Sequence, residues 1–142
     1  MNLPMLATDN ITELLLKIIE FTQMRQKILI RNIISMNRRN FVPRDLPVEE
    51  FSNLMKIAVN EYNNSRRLVL CDGQRVKFGA GGSFAAAPII DQKSKQLFKK
   101  NRKEFLRVQI TRLFENSLNQ KIAMELLKKK QAYEGCSGRC LN

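Results

Sequence analysis

The chain has 142 residues, 44% of them apolar, which suits one domain with a moderate core and excludes a wholly disordered polymer. Trp and His are absent and aromatics make up 7%, which argues against a wide aromatic-lined ligand pocket and against histidine-based catalysis or metal ligation. The formal net charge of +12 is uneven: residues 1–64 carry eight Lys/Arg against seven Asp/Glu, and residues 65–142 carry seventeen against six. An anionic partner would therefore be sought in the second half.

No run reaches the ~18–20 continuous apolar residues that span a bilayer. The opening MNLPMLATDN has no basic n-region and is interrupted by polar residues, unlike a signal peptide. A soluble chain is expected, leaving the cytosol, if it does, without a cleaved Sec signal.

In chain order, Asn10-Ile-Thr-Glu13 has capping-box spacing and predicts a helix start at Asn10. Ile11, Leu14, Leu15, Ile18, Phe21, Met24, Ile28, Leu29, Ile33 and Met36 follow at helical spacing, giving an amphipathic helix of about seven turns. The polar run Asn37-Arg-Arg-Asn40 ends it. Pro43 biases Val42 toward extended backbone, and Asp45 with Pro47 predicts a second helix start. Val48, Phe51, Leu54, Met55, Ala58, Val59 and Tyr62 supply its stripe, and Asn63, Asn64 and Ser65 its stop.

Between residues 66 and 92 the pattern softens. Leu68–Cys71 and Arg75–Phe78 flank Asp72-Gly73 as a candidate β-hairpin. Gly79-Ala-Gly-Gly82 and Ala85-Ala-Ala-Pro88 read as flexible linker. GAGGSFAAAP lacks the Gly-Lys-Ser/Thr ending of a phosphate loop, so no nucleotide is expected.

From Ser94 to Glu134 a single long helix is expected, with Gly135 as its stop. Its opening is basic (Lys93, Lys95, Lys99, Lys100, Arg102, Lys103). Leu106, Ile110, Leu113, Phe114, Leu118, Ile122, Leu126 and Leu127 then recur at three- and four-residue steps. The tail Cys136-Ser-Gly-Arg-Cys140 could hold a metal or close a small loop, but with no His and only Cys71 besides, zinc lacks ligands. No cofactor, metal or catalytic residue is expected; Glu49 and Glu50 suit the first turn of a helix.

The fold expected is mainly α. Long N- and C-terminal amphipathic helices pair as an elongated coiled-coil-like bundle, with a short middle helix and a flexible or hairpin centre. The organisation is 1–65, 66–92 and 93–142. Two long helices and a short one close a core poorly, so burial is expected to finish against other subunits.

Two blocks carry a family resemblance. Asn32 to Asp45, NIISMNRRNFVPRD, resembles the pattern N-I-A-N-x-D/N-T-P-G-Y/F-x-x-R-D of flagellar basal-body rod proteins of the proximal (FlgB) type, matching at Asn32, Ile33, Asn37, Phe41, Arg44 and Asp45. Leu113-Phe-Glu-Asn116-Ser-Leu118 and the pair Leu126-Leu127 are similar to that family's L-x-x-N-x-L and later paired leucine. Arg38-Arg39-Asn40 replaces the usual Thr-Pro-Gly, leaving Asn40 as the residue best suited to left-handed backbone.

The resemblance implies a structural rod subunit, exported unfolded through the flagellar type III apparatus and self-assembling in the basal body. Its implied neighbours are other rod subunits, the membrane ring and its adaptor protein. Assembly residues are then Asn32, Ile33, Asn37, Phe41, Arg44, Asp45, Leu113, Asn116, Leu118, Ile122, Leu126 and Leu127. Asn32 and Asn37 would bond local backbone, Phe41 would pack the turn on the helix, and Asp45 would cap the helix that follows. Leu113, Leu118, Ile122 and Leu126 would meet the Leu15–Met36 stripe. The alternative is a basic helical nucleic-acid-binding module, supported by the charge of the second half; a lipid-binding peripheral protein is the third reading.

Overall fold

The computed structural model describes residues 3–79 and 83–140; side chains are described for residues 10–79 and 83–133. The linker residues Ala80–Gly82 and the side chains of Cys136 and Cys140 lie outside these ranges.

The architecture is mainly α. Helix α1 spans Leu3–Ser35, so the helix begins before Asn10, and the capping-box residues sit within it. Pro4 lies in the first described turn, where its missing N–H is no loss. After α1 the chain turns through Asn40 in the left-handed region (φ 59°), as its side chain suggested. Strand β1 is Arg44–Asp45. Helix α2, Val48–Ser65, starts at Pro47 without a side-chain cap and carries Glu49 and Glu50 in its first turn. It ends at Arg66 (φ 60°), whose amide donates to the Tyr62 carbonyl.

The expected hairpin of Leu68–Cys71 with Arg75–Phe78 does not form. Strand β2 (Val76–Lys77) instead pairs antiparallel with β3 (Ala85–Ala86), in the register Val76↔Ala86 and Lys77↔Ala85. Strand β4 (Ile89–Ile90) pairs antiparallel with β1, in the register Arg44↔Ile90 and Asp45↔Ile89. The stretch Ala85–Pro88, expected as linker, therefore contributes to one pairing and leads into the other.

The hairpin fails because its turn closes elsewhere. The Glu50 carboxylate accepts the amides of Gln74 (2.9 Å), Arg75 (3.0 Å) and Val76 (2.8 Å), and Asp72 Oδ1 accepts that of Phe78 (2.8 Å). The folded-over loop then drives Val76 and Phe78 into the core, a long-range gain that local turn chemistry does not register.

The C-terminal segment is two helices: α3, Gln92–Lys100, and α4, Arg102–Cys140. Asn101, extended at φ −155°, breaks them and accepts the Glu104 amide on its Oδ1 (3.2 Å), an N-cap that restarts the helix. Gly135 does not stop α4, which runs through it. Among the described residues no helix is long and apolar enough to cross a membrane.

Helices α1 and α4 pack antiparallel, as the contacts Thr12 with Lys130, Thr22 with Asn116, and Asn32 with Gln109 require. The main core gathers Phe21, Leu46, Phe51, Leu54, Val76, Phe78 and Ala86, with Phe21 and Phe51 stacked at 4.0 Å. A smaller cluster, Leu15, Ile19 and Ala123, joins α1 to the far half of α4. The long terminal helices thus pair, with α2 and the two short sheets covering one side.

Candidate assembly interface

The junction after α1 is held by a buried polar network. Asn32, 3% exposed, donates from Nδ2 to the Arg44 carbonyl (2.7 Å) and to Gln109 Oε1 (3.0 Å), while its Oδ1 accepts the Arg44 amide (3.1 Å). Gln109 donates to Ser94 Oγ (3.2 Å). Arg25 forks onto Asp45 through two bonds of 2.9 Å. Arg112 reaches Asp45 at 3.5 Å, Ser94 Oγ at 3.2 Å, and pairs closely with Asp91.

One connected set therefore ties α1, β1, the start of α3 and the middle of α4. Two cations face two carboxylates, which balances the charge, and among the described residues no buried side-chain nitrogen or oxygen is left unbonded. Asp91 caps α3, its Oδ1 accepting the Ser94 amide (3.1 Å) and its Oδ2 the Ser94 hydroxyl (2.6 Å). Burial pushes the Asp91 carboxyl up, but the Ser94 bonds and the Arg112 guanidinium outweigh it and hold it below the usual carboxylate range.

Asn32 fixes the exit of the chain from α1, and its partner across the bundle is the fully buried Gln109. Asp45 does not cap α2. It sits in β1, accepts the Leu46 amide on Oδ1 (2.7 Å), and spends its charge on Arg25 and Arg112. Phe41 packs edge-on to Phe98 (5.2 Å) and Phe105 (5.9 Å), so it seats the turn on α3 and α4. Asn37 is exposed and makes no side-chain bond among the described residues; Ile33 is half-buried; the Arg44 side chain is exposed.

On α4 the buried seam is more polar than the apolar stripe expected to fill it. The inward seam of α4 is Phe105, Gln109, Arg112, Asn116, Ala123, Leu127 and Lys130, stepping by threes, fours and one heptad: Gln109, Asn116, Ala123, Leu127 and Lys130 meet α1, while Phe105 packs on Phe41 and Phe98 and Arg112 pairs with Asp45 and Asp91. Asn116, 2% exposed, donates to the Thr22 carbonyl (2.7 Å), and Thr22 bonds back to its own helix at Ile18 and Ile19. Leu118 is 58% exposed; Ile122 and Leu126, 49% and 50% exposed, edge a groove shared with Leu15, Ile18 and Phe21 of the α1 stripe, and Leu113 is half-buried. With Ile110 and Phe114 (73% exposed), the first three form a ridge at strict four-residue steps.

Each four-residue step turns about 400°, so the ridge winds round α4 by about 40° a step. It begins on the outer surface and ends at an open groove of about 380 Å³, whose walls include Leu15, Phe51, Met55, Ile122 and Leu126. Of the polar residues of the seam, Asn116 belongs to the block that carries the resemblance, whereas Gln109 and Arg112 lie outside the apolar recurrence. Gln109, Arg112 and Asn116 share one helical face, which the same spacing rule could have found. Comparison with protein-family models, with curated proteins and with solved structures finds no match to this chain.

Proposed function

We propose that this chain is a structural subunit of the flagellar basal-body rod, of the proximal type, that assembles with further copies and with rod, membrane-ring and adaptor neighbours and performs no catalysis. The observation that carries the reading is the run of uncovered apolar side chains on α4. Its polar and small residues Gln109, Asn116 and Ala123 are buried, while Ile110, Phe114 and Leu118 stand exposed and the half-exposed Ile122 and Leu126 line an open groove beside α1.

An intramolecular packing optimum would put the large apolar side chains inside; leaving these uncovered suits a helix whose exposed apolar surface is covered by another subunit. The resemblance at Asn32–Asp45 and at Leu113–Leu127 supplies the identity of that assembly. The described residues fit passage through a narrow export channel, since Cys71 is free and the two cores are small. A nucleic-acid module is the weaker reading, because Phe41, Phe98 and Phe105 engage one another edge-on and offer no free stacking platform.

The test is charged substitution on the ridge. Leu118→Glu and Ile122→Glu should leave helicity and urea stability of the monomer within about 1 kcal/mol of the parent, since both side chains are already exposed. The same variants should abolish concentration-dependent assembly in sedimentation and rod formation in cells. Normal assembly by both variants would overturn the proposal.

A further inference from the structure

A small cleft opens between α1 and the junction, about 170 Å³ in volume, with Ile28, Phe41, Val42 and Pro88 in its walls and Arg31 and Arg44 among its lining residues. Both arginines are exposed, and neither guanidinium has an ion pair, side-chain hydrogen bond or ring contact among the described residues. The other arginines packed against this part of the bundle, Arg25 and Arg112, are paired with carboxylates. No acidic residue lines the cleft.

The positive field extends beyond it. The turn that delivers Phe41 also carries Arg38 and Arg39, both exposed. Through its contacts with Phe98 and Phe105, Phe41 binds that turn to the elbow holding Lys99, Lys100, Arg102 and Lys103, where the single acidic residue, Glu104, is taken by Arg107.

We propose that this cleft is a docking site for an acidic segment of a partner protein, which places one aliphatic or aromatic side chain in the cleft and flanking carboxylates on Arg31 and Arg44. Planar guanidinium forks match carboxylates two bonds at a time, and the apolar walls reward a side chain beside the charge. The surface is distinct from the α4 ridge, so it goes beyond self-assembly. Nucleic acid fits less well: a base would need an open aromatic face, and the Phe41 ring is packed by two others.

The test titrates the full chain with a fluorescent peptide alternating Asp with Leu. Binding should weaken about tenfold in Arg31→Ala and in Arg44→Gln, and stay unchanged in Lys128→Ala/Lys129→Ala at the far end of α4. Circular dichroism of the variants should match the parent, since both substituted side chains are exposed and the Arg44 contacts to Asn32 are made by backbone. A peptide with Gly in place of Leu should bind at least tenfold more weakly.

Four results would each overturn the proposal. These are absence of peptide binding, binding insensitive to the two arginines, equal binding of the Gly peptide, and displacement of the peptide by random single-stranded DNA at lower concentration than by unlabelled peptide. A change in the sedimentation of the chain alone in Arg31→Ala would reassign the cleft to a second copy and likewise end the proposal.

Discussion

Asn32 shows how one side chain can set a chain direction. Its carboxamide satisfies both the amide and the carbonyl of Arg44, standing in for a strand partner, and its spare N–H reaches Gln109 on α4. Removing it strands two backbone groups and one buried carboxamide. Asn32→Ala should therefore lower the unfolding free energy by about 3 kcal/mol in urea titration, well above the usual cost of a surface substitution. A loss under about 1 kcal/mol would mean that water replaces the carboxamide. Asn32 stood out in the sequence as a polar interruption of an apolar stripe and as the first residue of the block that carries the resemblance. Its partner was not, because Gln109 lies 77 residues away and nothing local relates the two. Asp45 teaches the reverse: an acidic residue two positions before a proline reads as a cap, yet it accepts only the Leu46 amide ahead of α2 and turns its charge to two arginines brought by other helices.

At the scale of elements, the elbow between α3 and α4 is decided by competing caps. Asn101 breaks a pattern that periodicity alone carries straight through, and Asp91 anchors the new short helix at its other end. The depressed Asp91 carboxyl links this helix start to pH. A carboxyl held low in the folded state stabilises it above the unfolded value of about 3.9, and that contribution disappears as pH falls through the folded value. Chemical denaturation should thus give constant stability from this group at neutral pH and a decline below about pH 4. Asp91→Asn should flatten the decline while lowering neutral stability by about 1–3 kcal/mol, because Arg112 loses its close partner. An unchanged acid limb in the variant would show that Asp91 is not responsible. The two strand pairings follow the same logic: two-residue strands are far too short to be read from sequence, and they exist because Asn32 and Glu50 present β1 and the β2 loop to their partners.

For the whole molecule, the balance lies between an apolar ridge that draws copies together and a net charge of +12 that drives them apart. Salt screens the second and leaves the first, with a Debye length near 10 Å at 0.1 M and about 3 Å at 1 M. Self-association measured by light scattering should accordingly strengthen as sodium chloride rises, the opposite of a salt-bridge-driven contact. Weakening under the same titration would place the contact on the charged surfaces instead of the ridge.

The sequence by itself determined the mainly helical class, the two long terminal helices and their pairing, the left-handed turn at Asn40 and the end of α2. Each follows from spacing, caps and backbone preference within a few residues. Tertiary structure alone decided which face of α4 is buried, where Asp45 spends its charge and how residues 68–90 pair. Those outcomes depend on groups brought together from distant positions, and an apolar stripe reports that a helix has a face to cover without reporting whether its own chain or another one covers it.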